Sequence, residues 1–245
     1  MKKTSIAILF TILIGALKAH SQFFVTSGTA MLHVPDWDRI VRYHNLATTW
    51  QSDDLPPLQW GYQGGVGYTF LVFRKPQIFA APQLRYTHWN SHNDALKLIV
   101  HQLSIGPEIR FNPRALFFGV ESAGPLGPRW YIGLQPGLQC WMPMIARHDA
   151  WTRYDEETTY RPLTFRFDFK VSTGFHSIAL GSFVLTPELS VQWVKGTELY
   201  DWTEQILGHN ILNLNNKASR GWNFGAGLII TKIKKSENWW DRPRS

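Results

Sequence analysis

The segment "LTFRFDFKVS", residues 163–172, alternates apolar and polar side chains without a break. Leucine, phenylalanine and valine occupy its odd positions, while Arg166, Asp168 and Lys170 lie on the even side. Because successive side chains of a β-strand point to opposite faces, this strand has one apolar and one charged face. In a soluble sandwich the phenylalanines would form the core, whereas in a membrane barrel they would face lipid and the charges the lumen. The remaining sequence has to decide between these interpretations.

Alternating segments of this kind recur along the whole chain. We predict eight strands, near residues 23–34, 59–73, 77–89, 97–112, 130–142, 163–175, 182–194 and 222–233. Their number is even and most are long enough to cross a bilayer at a tilt. The predicted fold is therefore all-β: a closed antiparallel transmembrane β-barrel of about eight strands, with short helices in the outer loops. Ten strands stay possible, because "PRALFFGVESAGPLGPR", residues 113–129, could hide a further strand.

The two faces of the predicted strands differ in chemistry. Polar residues fall on one parity, while the other parity is apolar except for Lys97 and His101. Eight strands leave a bore that side chains fill, and buried charges are tolerated when they are paired. We therefore predict a lumen filled by a polar network of nearly balanced charge, with a narrow gated channel as an alternative. Its charged members are Arg85, Glu108, Arg110, Arg166, Asp168, Lys170 and Glu188.

Five tryptophans fall near strand ends that lead to the predicted outer loops. They are Trp60, Trp89, Trp141, Trp193 and Trp222. Tryptophan is enriched where a membrane protein crosses the lipid–water boundary. We predict that these five side chains form an outer aromatic girdle.

The two ends of the chain are predicted to lie outside the barrel. Residues 1–21 begin with Lys2 and Lys3, followed by an apolar run and small residues before Gln22, which is typical of a secretory signal peptide. Residues 22–233 then form the barrel, and residues 234–245 a polar periplasmic tail. Loss of the three lysines in the signal lowers the net charge from +7 to about +4. We expect no nucleic-acid partner for an exported chain, and the single Cys140 allows no internal disulfide.

Several motifs together give the chain a family resemblance. "APQLRY", "GPEIRF", "QPGLQC" and "TPELSV" repeat one pattern, and "GYQGGVGYTF" and "GWNFGAGLIITKI" are glycine-rich strands. With these motifs the mature chain resembles the outer-membrane β-barrel proteins common in Bacteroidetes, including small porin-like barrels. The resemblance implies a multi-pass protein in the outer membrane of a Gram-negative bacterium. It implies no activity.

Catalytic and metal chemistry have few candidates in the sequence. Some outer-membrane barrels are lipid A acyl hydrolases or acyltransferases, which need a serine activated by a histidine. His88, Ser91 and Asp94 are the residues that such an alternative would use near the outer rim. The loop from His148 to Glu157 carries oxygen ligands of the kind that calcium takes. The balance of these observations predicts a non-enzymatic protein with no metal site and no cofactor.

Two predicted outer loops contain amphipathic helical segments. "PDWDRIVRYHNLATTW", residues 35–50, and "ELYDWTEQILGHN", residues 198–210, place apolar residues at helical spacing. Such helices could cap the barrel, lie on the membrane surface or dock a partner. We expect a monomer in contact with outer-membrane lipid, with specificity for a possible protein or glycan partner in the extracellular loops.

Overall fold

The computed structural model describes residues 22–48, 54–73, 78–93, 96–118, 130–148, 157–160, 163–195 and 220–233. The predicted signal peptide, the predicted tail and the predicted helix at 198–210 lie outside these ranges. Within the described residues, no helix is long and apolar enough to cross a membrane.

Eight long strands account for most of the described chain. They are β1 (Gln22–His33), β2 (Trp60–Phe73), β3 (Ile78–His92), β4 (Leu96–Phe111), β5 (Trp130–His148), β7 (Thr164–Phe175), β9 (Phe183–Lys195) and β10 (Arg220–Lys232). All eight strands predicted from the alternation are confirmed. Two of them run further than predicted, because β3 continues to His92 and β5 to His148.

These eight strands form a closed barrel. Each pairs antiparallel with its neighbours in the order β1-β2-β3-β4-β5-β7-β9-β10, and β10 pairs with both β9 and β1. Closure through His33↔Trp222 and Trp222↔Trp193 continues the ladder around the ring. The barrel therefore has eight strands and no open edge, which settles the question of eight against ten.

Two short strands and two helices lie at the ends of the barrel. Helix α1 (Pro35–Thr48) follows β1, and helix α2 (Pro113–Phe118) follows β4, at the start of the stretch that could hide a further strand. Strand β6 (Glu157–Tyr160) pairs with the extension of β5, and β8 (Ile178–Leu180) forms a hairpin with β9. The turn of that hairpin contains Gly181, whose φ of 58° lies in the left-handed region that favours glycine. The predicted helix at the start of residues 35–50 is thus confirmed.

The barrel is apolar outside and polar inside. In β7, Phe167 is 84% exposed, whereas Lys170 is 2% exposed. The same division holds on the other strands, where Tyr62, Ile105 and Leu189 are more than half exposed. A protein in water buries its apolar side chains, because removing them from water is favourable. This barrel has the reverse arrangement, with apolar side chains outside and polar side chains inside. That distribution is typical of a β-barrel whose outer face contacts lipid.

Candidate functional site

The lumen holds an ionic cluster centred on Glu108. This carboxylate is fully buried and accepts two hydrogen bonds from Arg110 on one oxygen, at 2.9 Å from Nε and 2.7 Å from Nη2. Its other oxygen lies 3.3 Å from Lys170 Nζ and accepts a hydrogen bond from Ser172. The Arg110 guanidinium donates two hydrogen bonds to the Glu108 carboxylate. Because charge-assisted hydrogen bonds are strong and directional, they hold both side chains in one orientation.

A second carboxylate, Glu188, joins the same cluster. It receives Arg85 Nη2 at 2.9 Å and the Tyr131 hydroxyl at 2.9 Å. It also lies 3.6 Å from Lys170 Nζ and 3.8 Å from Arg110 Nη2. Three cations therefore surround two carboxylates in a buried interior, where each charge is held by its neighbours and the removal of one leaves the others unbalanced.

Glutamines extend the cluster sideways. Gln83 donates to Glu108 at 3.2 Å and to the side-chain oxygen of Gln135 at 2.9 Å. Gln135 in turn donates to the main-chain oxygen of Gly106 at 3.2 Å. Space for this arrangement depends on Gly133, because a Cβ there would lie 2.6 Å from Glu108 Oε1. A glycine on a neighbouring strand thus makes room for the central carboxylate.

Asp168 organises a separate group of amides. Its carboxylate accepts hydrogen bonds from Gln139 and Gln192. Asn223 donates to Gln192 at 3.1 Å, and the indole of Trp141 donates to Gln139. The lumen therefore holds this amide group in addition to the ionic cluster.

The structure places the seven charged residues predicted for the lumen as follows. Five of them, Arg85, Glu108, Arg110, Lys170 and Glu188, form the ionic cluster; Asp168 lies in the amide group, and Arg166 is half-buried on the same face of β7.

An apolar cluster occupies the mouth beside helix α1, which we call the capped mouth. Trp37 and Val41 of α1 are buried, at 2% and 6% exposure, although the helix lies in a connection between strands. They pack with Leu55 and Leu58 of the following segment and with inward residues of the barrel wall, which are Ala30, Leu32, Trp89, Leu98, Val100, Trp141 and Val194. The helix and the segment after it thus cap the barrel, which was one of the three roles open to it.

Hydrogen bonds hold this cap in place. Asn45 of α1 donates to the main-chain oxygen of Leu55 at 3.0 Å and accepts from its N–H at 2.7 Å. The hydroxyl of Ser91, on the inner face of β3, donates to the main-chain oxygen of Pro56. The N–H of Leu32 donates to Gln59 at 2.7 Å. The capping segment is therefore tied to itself and to two strands of the wall.

The opposite mouth, where β1 begins, is also filled. The guanidinium of Arg110 lies over the rings of Phe24 and Tyr131, at 5.0 and 4.8 Å from their centroids. His176 Nδ1 is 2.6 Å from the hydroxyl of Thr186, in a buried position. Aromatic rings thus cover the ionic cluster on this side.

The predicted aromatic girdle is wrong for two of its five members. Trp60 and Trp222 are exposed on the outer face, and Trp193 is half-buried there. Trp89 and Trp141 are 0% and 2% exposed and stack inside the barrel, with ring centroids 5.9 Å apart and an interplanar angle of 6°. The physical reason is parity: both share the face of the lumen glutamines on their strands, so they belong to the cap cluster.

The catalytic alternative is not assembled in the structure. His88 lies on the outer face of β3, while Ser91 is 1% exposed on the inner face and bonds to Pro56. A general base must lie within hydrogen-bond reach of its nucleophile. Asp94 and most of the loop proposed for calcium, residues 149–156, lie outside the described residues. Where the structure describes the chain, no group of three or more His, Cys, Asp or Glu side chains converges.

Sequence reasoning missed two features of this barrel. One is the penetration of α1 into the mouth, and the other is a contact between His88 and His101 on the outer face. His101 could have been the signal for the second, because it breaks the apolar parity of β4.

Comparison with known proteins finds only distant structural likenesses. No family model and no curated protein matches the chain. Among solved structures it is similar to Neisserial surface protein A (10% identity, 86% of this chain and 97% of that one, TM-score 0.40). It is also similar to Ail of Yersinia pestis (7%, 85% and 97%, TM-score 0.43) and to the outer membrane protease OmpT of Escherichia coli (8%, 87% and 96%, TM-score 0.37). These likenesses are too distant to carry a function, and the Bacteroidetes resemblance stays a prediction.

Proposed function

We propose that this chain is a non-enzymatic integral protein of the outer membrane of a Gram-negative bacterium. The observation that carries the proposal is the inverted polarity of a closed barrel, with phenylalanines outside and paired charges inside. Placing the outer face in lipid removes from water the many apolar side chains that the fold leaves exposed. Closure pairs each strand of the wall with a neighbour on both sides, so that no sheet edge faces lipid.

The same observations favour a closed lumen over a channel. A conducting path needs a continuous wet route, whereas here ion pairs fill one part of the lumen and hydrogen-bonded amides fill another. The cap adds an apolar layer with Trp89 and Trp141 at its base. Opening such a path would break a buried ionic cluster, which is costly.

The capped mouth is the side that we propose to face the outside of the cell. The connections at this end include residues 34–59 and 196–219, whereas two of those at the opposite end span only 74–77 and 176–182. Long loops outside and short turns in the periplasm are usual in such barrels. The barrel then serves as a rigid base that presents its cap and long loops to a protein or glycan partner.

A paired experiment tests this proposal. The mature protein is recovered from membrane fractions, run on a gel with and without boiling, and reconstituted in a planar bilayer. We expect outer-membrane recovery, a mobility shift on heating and no single-channel steps. Recovery as a soluble protein with no shift would overturn the membrane assignment, and steady conductance that changes in Lys170→Met would overturn the closed lumen.

A further inference from the structure

Two histidines face each other on the outer surface of the barrel. His88 of β3 and His101 of β4 are direct cross-strand partners, and their Nδ1 atoms lie 3.3 Å apart. The hydroxyl of Tyr86, two residues before His88, lies 2.6 Å from the same Nδ1 of His101. Three donor atoms therefore meet at one point on the outer face.

Hydrogen bonds alone account poorly for the contact of these three side chains. A neutral imidazole nitrogen carries either one hydrogen or one lone pair. His101 Nδ1 has two polar atoms within contact distance, so a single hydrogen or lone pair must serve both Tyr86 and His88. A metal ion that accepts a lone pair from each histidine would replace this shared contact, with the phenol oxygen beside the metal as a possible further ligand.

The geometry of the two nitrogens suits a metal. With metal–nitrogen bonds of ~2.0 Å, a separation of 3.3 Å gives an angle of about 110° at the metal, close to the tetrahedral value. The next strand supplies a third side chain in the same row, because Met142 of β5 is the cross-strand partner of His101 and also faces outward. Opposed residues on paired strands have Cβ atoms only ~4.5–5.5 Å apart.

We propose that His88, His101 and Met142 form a binding site for copper(I), with Tyr86 beside it. Imidazole binds copper well, and a thioether is a soft ligand that selects copper(I). None of His88, His101, Met142 and Tyr86 is a carboxylate, so a monovalent ion brings less charge to this surface than a divalent one. The site departs from the sequence-based expectation of a protein without a metal.

The position of the row makes it accessible from the capped mouth. Four further residue pairs of the β3–β4 ladder, ending at His92↔Lys97, separate it from the connection between these strands. That distance is ~14 Å at the rise of an antiparallel strand. The row therefore lies in the half of β3 nearer to the capped mouth, since β3 extends from His88 as far as Ile78 in the other direction. This inference concerns the outer face and does not depend on the role of the lumen.

The test is a competition titration of the full mature protein in detergent, made without a histidine tag. Copper(I), kept reduced by ascorbate and buffered with a chromogenic chelator, is added to the wild type, His88→Ala and His101→Ala. We expect one tightly held copper(I) per wild-type chain and a loss of at least tenfold in affinity in either variant, since even outer partners of metal ligands contribute ~10–100-fold. Met142→Leu should weaken copper(I) binding while leaving any zinc binding unchanged.

His92→Ala is the matched control, because it removes an exposed outward histidine from the same strand. It should bind copper(I) like the wild type, and the gel shift on heating shows that each variant is folded. Equal copper(I) binding by wild type, His88→Ala and His101→Ala would overturn the site, as would a wild type that holds no copper(I) against the chelator. Zinc binding without copper(I) binding, or full binding by Met142→Leu, would overturn the copper assignment.

Discussion

Glu108→Gln is the substitution whose effect follows most directly from the lumen geometry. The carboxylate is fully buried and neutralises Arg110, which it meets at 2.7 Å, and Lys170 at 3.3 Å. With glutamine in its place, the ionic cluster keeps three cations but only Glu188 as an anion. Breaking a buried ion pair by removing one partner costs about 3–5 kcal/mol, so we expect the free energy of unfolding to fall by that amount.

The assay is equilibrium unfolding by guanidinium in lipid vesicles, followed by tryptophan fluorescence. Asp38→Asn is the matched control, because it makes the same change in a partly exposed pair with His33, at 3.4 Å, where such a pair contributes about 0–1 kcal/mol. The double variant Glu108→Gln/Lys170→Met removes one charge of each sign and should recover at least half of the loss. A Glu108→Gln protein as stable as the wild type would refute the ionic cluster as a structural element.

Three further predictions concern the outer face, the cap and the packing around Glu108. Phe167→Arg should destabilise the vesicle-bound barrel by about 2–4 kcal/mol, since arginine on a lipid face near the midplane costs that much, while Phe167→Leu should be nearly neutral; a water-exposed site would tolerate both in the same unfolding assay. Trp37→Ala should release α1 from the mouth, so that limited proteolysis cuts the helix while the heat shift on a gel persists; an equally resistant helix would contradict its capping role. Gly133→Ala should lower the free energy of unfolding by about 1–3 kcal/mol, because its Cβ would lie 2.6 Å from Glu108 Oε1. Gly64→Ala is the control and should have little effect, because its Cβ would lie 3.7 Å from the nearest atom. Equal effects of the two substitutions would contradict the packing around Glu108.

The strands and their two faces were predictable because they depend on local alternation. Phe167 and Lys170 are three residues apart, and residues separated by an odd number lie on opposite faces of a strand. The structure confirms this, because Phe167 is exposed and Lys170 is buried. The same rule places Trp89 on the face of Arg85 and Trp141 on the face of Gln139. The girdle prediction failed for these two tryptophans because it used their position near strand ends and left parity aside.

Contacts between distant strands were not predictable from the sequence. The amphipathic pattern of α1 shows that Trp37 and Val41 share a face, but the surface that receives them is built from several strands far apart in the chain. The contact between His88 and His101 likewise depends on the register of β3 and β4. That register is set by how the two strands turn into each other, which alternation alone does not specify.

The central claim, that the phenylalanine face of β7 lies in lipid, is tested most directly by spin labels at Phe165, Phe167 and Phe169. Each is introduced as a single cysteine, with Cys140 replaced by serine, and the protein is reconstituted in vesicles. Collisions with oxygen, which concentrates in lipid, are compared with collisions with a water-soluble nickel complex. We predict high oxygen and low nickel accessibility at all three positions; high nickel accessibility there would mean that this face meets water and that the membrane assignment is wrong.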